Sequence, residues 1–394
     1  MAEHAKLSAS ASKRWLSCTP SAVLESKFPN STSEAAAEGT LAHNIGELLI
    51  RLKSGRMTDP AYQDCMKNQK ASADGKKFYS TEMLDYCEEY SDFVIAQFEK
   101  AKLITPDAVL EVEQRLDFSQ YVEEGFGTGD AIVIADTTLS IIDLKYGKGV
   151  RVECEHNTQM MLYALGALNK YGFLYDITRI EMTIYQPRMN NISTFGVDVE
   201  QLLVWAEEYL KPKAALAYAG EGEYVCGDHC KFCRARNVCK QLAYENLSSL
   251  VSYIDKGKET LDDTSISAIL TMAEGWTSWI NGITAYAFDQ AVNNGKVWPH
   301  HKLVEGRSIR SFSDYSLVVA KLKTEGFQED ELWNKKPLGI GDIEKLVGKK
   351  QFDPLLSDFV IKPQGKPTLA HESDKRPVLI TKQDAAATFA EVEI

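Results

Sequence analysis

Residues 127–149, GTGDAIVIADTTLSIIDLKYGKG, limit the folds open to this chain more than any other stretch. Two apolar runs, residues 130–135 and 139–146, flank the polar residues Asp136, Thr137 and Thr138, a pattern that predicts a β-hairpin. With pairing symmetric about Asp136 and Thr137, Asp130 faces Asp143 across the ladder and Ile132 faces Ile141. Side chains alternate along a strand, so Asp143 and Lys145 share one face while Ile142 and Leu144 take the other. Two carboxylates and an ammonium group therefore converge in an apolar setting. Burying two like charges without compensation costs several kcal/mol, so a hard divalent cation is their natural occupant, and magnesium or manganese suits oxygen ligands of this kind. Metal and lysine together supply what phosphodiester hydrolysis needs: a water made nucleophilic at neutral pH, and positive charge on the phosphoryl oxygens. The plainer alternative is a half-exposed hairpin carrying a surface Asp-Lys pair.

The order G-x-x-D, turn, D-x-K, here Gly127 to Asp130 and Asp143-Leu144-Lys145, resembles the motif of the PD-(D/E)XK nucleases. Two further matches resemble the RecB-type branch of that superfamily: Gly39-Thr40-Leu41-Ala42-His43 fits its G-T-x-x-H, and Gln159 with Tyr163 fits its Q-x-x-x-Y. The resemblance implies an α/β nuclease core, a central mixed sheet flanked by helices. It also implies that Asp130, Asp143, the Leu144 carbonyl and His43 hold Mg2+ or Mn2+. Lys145 would orient or help deprotonate the water, and Gln159 and Tyr163 would touch substrate or brace the lysine. Read without the family, His43 is a helix-surface histidine, and Gln159 and Tyr163 are an i, i+4 polar pair at a core edge. In the preceding run AVLEVEQRLDF, alternation puts Glu111 and Glu113 on one face, which reads as mainly solvated.

Eight cysteines are present, and Cys226, Cys230, Cys233 and Cys239 crowd into YVCGDHCKFCRARNVCKQL. No secretory signal precedes them, so reduced thiolates binding metal are expected rather than a disulfide framework. The residues alone leave two sites open: a zinc knuckle completed by Cys226, with His229 as a competing ligand, or an iron-sulfur cluster that recruits a distant cysteine. The C-x2-C-x5-C of Cys230, Cys233 and Cys239, with Cys18 ahead of the histidine motif, resembles the pattern of AddB-type nucleases. That resemblance implies a [4Fe-4S] cluster held by Cys18, Cys230, Cys233 and Cys239. Cys65, Cys87 and Cys154 read as ordinary buried thiols.

A 394-residue chain with 44% hydrophobic content can bury a sizeable core. No apolar run reaches the length of a membrane span, which predicts a soluble cytoplasmic protein. A formal charge of −12 argues against a broad basic face for duplex binding and leaves room for a local groove. Basic residues cluster as Lys145, Lys148 and Arg151, and again as Lys231, Arg234, Arg236 and Lys240. Helices are expected over residues 1–55 and 60–104, strands over 108–146, and then the glutamine helix, the strand RIEMTIYQPR and a helix over 199–219. Near residue 245 the character changes, dividing a nuclease core of residues 1–244 from a mainly helical extension of residues 245–394. In the extension, Ile266, Ile269, Trp276, Ile280 and Ile283 mark one face of a long helix that Asn293-Asn294-Gly295 ends. This stripe reads as packing rather than a base-stacking platform. HKLVEGRSIRSF suggests a strand, and KPQGKPTLAHESDKRP is a Pro-rich tail with the reach of a partner-binding or DNA-guiding arm. The whole is similar to an uncharacterised group of phage-encoded RecB-like nucleases.

The expectation is a metal-dependent deoxyribonuclease acting on DNA ends or single strands in phage replication or recombination, in a bacterial host. It would work beside a phage recombination or replication protein and away from membranes. Two alternatives stay open: a catalytically quiet DNA-end-binding or scaffolding protein that keeps the fold, and a zinc-dependent nucleic-acid-binding module.

Overall fold

Alternating apolar strands, with helices packed on either side, give an α/β architecture around one five-stranded mixed sheet. The computed structural model describes residues 5–29, 33–252, 260–304, 314–325, 328, 332, 339–360 and 377. The chain begins with α1 (Ser12–Ser17), α2 (Ser21–Ser26), α3 (Glu34–Lys53), α4 (Asp59–Ala71), α5 (Ala73–Phe78) and α6 (Thr81–Ile104). Strands β1 (Val109–Asp117), β2 (Phe126–Ala135) and β3 (Thr138–Leu144) form an antiparallel meander. Helix α7 (Thr158–Tyr171) then crosses over to β4 (Arg179–Gln186), which pairs parallel with β3, and β5 (Asn191–Asp198) closes the sheet antiparallel to β4.

Local chemistry sets these boundaries. Ser33 and Ser80 accept from Ala36 N and Met83 N at the starts of α3 and α6, and Asn157 accepts from Gln159 N and Met160 N at the start of α7. Asp136, with φ of 50°, supplies the left-handed conformation that a two-residue turn between β2 and β3 requires. Pairing of Ile132 with Ile141 is the register expected from the sequence.

Each face of the sheet has its own core. Ile132, Ile134, Ile141, Ile180, Met182 and Ile184 pack with α7, while Leu110, Val112, Ala131, Val133, Ile142 and Leu144 pack with α3 and α6. Gly166 lets α7 close on β1, because a Cβ there would stand 2.8 Å from Leu116 Cβ.

Helix α8 (Val199–Trp205) passes through one π-helical stretch, Ala206–Leu210, into α9 (Lys211–Ala219), which ends on Gly220 at φ 75°. The cysteine-rich segment follows and returns to the N-terminus. Glu25, 4% exposed, accepts from Arg14 Nε and from the Arg234 backbone N–H, both at 2.7 Å. One buried carboxylate thereby ties α1 and α2 to the cysteine loop.

Helix α10 (Lys240–Ser252) continues across residue 245, and α11 (Asp263–Asn294) ends on Gly295 in the left-handed conformation, as expected. Along the expected packing face, Trp276 is buried, but Ile266 and Ile280 are 43% and 54% exposed, so the stripe packs only in part. Helix α12 (Tyr315–Thr324) follows, and α13 (Ile340–Val347) with α14 (Lys349–Leu356) docks on α6 through buried Phe352 and a Lys350–Glu88 ion pair. Of the expected strand over 301–312, residues 301–304 have no regular structure and 305–312 lie outside the described residues, as does the Pro-rich tail except residue 377. No described helix is long and apolar enough to cross a membrane.

Candidate functional site

Where β2 and β3 run toward α3, the polar residues singled out in the sequence meet. Asp130 and Asp143 are both buried, and the β2–β3 register, which pairs Ala131 with Ile142, extends to place them opposite each other. His43, from the middle of α3, sets Nδ1 3.2 Å from Asp130 Oδ2, and the same oxygen accepts from the Leu144 backbone N–H at 2.7 Å. Lys145 Nζ stands 2.7 Å from Asp143 Oδ2, an ion pair at the end of β3.

One participant escaped the sequence. Glu113 brings a carboxylate oxygen to the His43 and Asp130 ligand atoms, all within 4.8 Å of one another. Strand alternation predicted a mainly solvated Glu113 sharing a face with Glu111. Glu113 instead takes φ of 51°, and the alternation breaks there: Val112 belongs to the core under α3 and α6, Leu116 to the core under α7. Glu111 does lie at the half-exposed surface, 3.9 Å from Arg56. The missed signal was ladder position, since Val112 pairs with Ala131 and Gln114 with Gly129, which sets Glu113 opposite Asp130.

The electrostatics follow from burial and crowding. Burial alone would lower the His43 pKa, but the Asp130 charge and hydrogen bond prevail and raise it to about 9. Burial pushes Asp130 up, yet His43 and the Leu144 N–H hold it below the usual carboxylate range. Asp143 is pushed up by burial, with Lys145 opposing and Asp130 adding to the rise. Glu113 rises to about 7, through burial and then the Asp130 charge. Three carboxylates thus share one largely buried site with His43 and Lys145 as its cationic groups. Beside it, Tyr90 Oη is buried and has no hydrogen-bond partner. Buried polar atoms left unpaired in this way ordinarily mark a place for water or an ion.

Gln159 and Tyr163 form the opposite wall. Gln159 Nε2 donates to Tyr163 Oη at 2.9 Å, and burial followed by the Asp143 charge pushes the phenol pKa up. Gly127 exists for this contact, because a Cβ there would stand 2.6 Å from the Tyr163 ring. Gly39 has no such reason, with nothing within 4 Å of its notional Cβ.

Away from this centre, five cysteines line one small cavity: Cys18 from the loop after α1, and Cys226, Cys230, Cys233 and Cys239. Cys18 is buried, and its thiol pKa is raised by burial first, with Cys230 and Cys239 adding to the rise. The topology thus brings the N-terminal cysteine to the C-terminal group. Cys226 lines the same cavity beside Cys230, with a pKa pushed up to about 12 by burial, while His229 Nε2 is paired with the Val225 carbonyl. Among the described residues no three of these sulfurs come within 4.8 Å of one another. A tetrahedral zinc with bonds of about 2.3 Å would hold its sulfurs about 3.8 Å apart. Cys87 and Cys154 are buried thiols donating to the Ala42 and Met182 carbonyls, as expected, whereas Cys65 is only half-buried.

The two basic patches are largely engaged: Arg151 pairs with Glu153, Lys231 with Asp228, and Arg236 donates to the Lys231 carbonyl and Ser278. A solved structure described as "Crystal structure of SSO0001" is 14% identical over 50% of this chain and 84% of that one, with a TM-score of 0.20. A family model described as "Protein of unknown function (DUF2800)" matches residues 4–377, and the chain belongs to that family.

Proposed function

We propose that this chain is a metal-dependent deoxyribonuclease of the PD-(D/E)XK type, acting at DNA ends or on single strands. The observation that carries this reading is the convergence of His43, Glu113 and Asp130 beside the Asp143–Lys145 ion pair. Three carboxylates and an imidazole are a donor set suited to magnesium or manganese, and Lys145 pairs with only one of those carboxylates, Asp143. Asp130, Asp143, Glu113 and His43, with the Leu144 carbonyl, would hold it. When bound, the ion supplies Lewis acidity at the phosphoryl oxygens and a lowered pKa for water.

The chain's own groups do the rest. Lys145 Nζ, held by Asp143, stands ready to orient a water and to offset charge on the phosphoryl group. Gln159 fixes the Tyr163 hydroxyl, whose raised pKa keeps it a neutral donor for a substrate oxygen. His43 carries a proton on the imidazole while it pairs with Asp130, and would have to give that proton up to serve as a ligand.

For the cysteines the same reading assigns Cys18, Cys230, Cys233 and Cys239 to a structural [4Fe-4S] cluster. The convergence of Cys18 on the cavity lined by Cys230, Cys233 and Cys239 supports that assignment. Incubating the protein with end-labelled single- and double-stranded DNA, with and without magnesium, tests the nuclease reading. Cleavage that requires the ion supports it. Tight end binding without cleavage would instead identify a catalytically quiet relative.

A further inference from the structure

The C-terminal half of α11 and the segment after it enclose a groove of about 920 Å³ that the metal and cysteine sites leave unexplained. Its walls carry three aromatic rings, Tyr286, Phe288 and Trp298, and its cations are Lys296 and Lys302. No carboxylate lines it among the described residues, on a chain whose formal charge is −12. Two lysines with no carboxylate among the lining residues give the groove a local positive charge.

Two of the three rings, Tyr286 and Trp298, are held by contacts with each other and with the helix. Trp298 Nε1 donates to the Ala287 carbonyl at 2.9 Å, which pins the indole to the helix. Tyr286 meets it edge-on, with centroids 6.4 Å apart, and Lys296 Nζ lies 4.2 Å above its ring centroid. Phe288 is 63% exposed and Val297 is 85% exposed, apolar surface with no cover from this chain's described residues. The groove also abuts the cysteine module, because Asn237 and Val238, between Cys233 and Cys239, form part of its wall.

We infer that this groove binds single-stranded nucleic acid, with bases stacked on Phe288 and the Trp298 neighbourhood and the backbone phosphates drawn by Lys296 and Lys302. Rings serve any base because every base has a π-face, while the cations answer the phosphate charge. A second copy of this chain would explain the exposed apolar surface but not the local positive charge. The choice of nucleic acid as the occupant rests on the nuclease reading, whereas the groove itself is a binding site without catalytic residues.

The test therefore measures binding with cleavage removed. Full-length protein is titrated into a fluorescein-labelled oligothymidylate in EDTA, followed by anisotropy, with an unlabelled duplex of equal length as competitor. Wild type is expected to bind the single strand, with the duplex competing at least tenfold more weakly. Phe288→Ala and Lys302→Gln each weaken binding roughly five- to tenfold. Both side chains are exposed, so folding is preserved, and circular dichroism checks it. Phe173→Ala, removing a 78% exposed ring elsewhere, binds as wild type does. Groove variants that bind like wild type, or a wild type that binds no single strand, overturn the inference. So does a dimer that Phe288→Ala dissociates while no oligonucleotide binds. Groove-dependent binding by a protein that fails to cleave with magnesium would uphold this site while removing the nuclease reading.

Discussion

His43 Nδ1 lies 3.2 Å from Asp130 Oδ2, a contact that joins the long N-terminal helix to the central hairpin. The pair makes the metal-free protein sensitive to pH in a definite direction. His43 rises from 6.5 to about 9, so its contribution to stability is whole below pH 6.5 and lost as the pH climbs through about 9. Glu113 rises from 4.5 to about 7, so its ionisation also costs the fold stability as the pH rises between those values. Metal binding runs the other way, because bound ion displaces both protons. The melting temperature in EDTA should therefore fall from pH 6.5 to 9 by more in wild type than in His43→Gln. The shift produced by manganese should grow over the same range. A manganese shift that shrinks with pH would remove His43 and Glu113 from the site.

The two glutamates of β1 should separate cleanly. Glu113→Gln removes a carboxylate from a three-residue group within 4.8 Å and should weaken manganese binding at least about tenfold by calorimetry. Glu111→Gln, whose partner is Arg56 at the surface, should leave it unchanged. Equal effects would mean that the left-handed turn at Glu113 has no functional consequence.

Two glycines of the motifs are predicted to differ in sign. Gly127→Ala drives a methyl into the Tyr163 ring and should cost about 1–3 kcal/mol by denaturant unfolding, with a loss of activity as the Gln159–Tyr163 pair shifts. Gly39→Ala lies within α3 with open space around it and should stabilise by about 0.5–1 kcal/mol.

The cysteines give a prediction visible by eye. Anaerobically purified protein should be brown and contain iron and acid-labile sulfide. Cys18→Ala should lose the colour and much of the stability, since it detaches the N-terminal end of the clasp, while Cys226→Ala keeps both. Colourless protein with one zinc, destabilised by Cys226→Ala and indifferent to Cys18→Ala, would establish the knuckle instead.

Much of this arrangement is legible in the sequence. One two-residue turn sufficed for the register that opposes Asp130 and Asp143, because the length of the turn fixes which residues of the two strands face each other. Helix α11 announced its end through Gly295. Glu113 stayed hidden because alternation assumes ordinary strand dihedrals, and a positive φ at a non-glycine residue leaves no mark in composition. Tyr90 was invisible for a related reason: on α6 it reads as one more core aromatic, and only the fold sets its hydroxyl beside the carboxylates. The Trp298 groove could not be foreseen either, since it depends on a chain reversal after α11 that brings Trp298 back to Ala287.

The central claim is that Asp143 and Lys145 act at a metal rather than support the fold. End-labelled DNA turned over once by excess enzyme in magnesium, for wild type, Asp143→Asn and Lys145→Ala, tests it most directly. Both variants should fold, retain DNA binding in EDTA and lose cleavage by about a hundredfold or more. Cleavage by either variant at the wild-type rate, or wild-type cleavage undiminished by EDTA, would contradict the account.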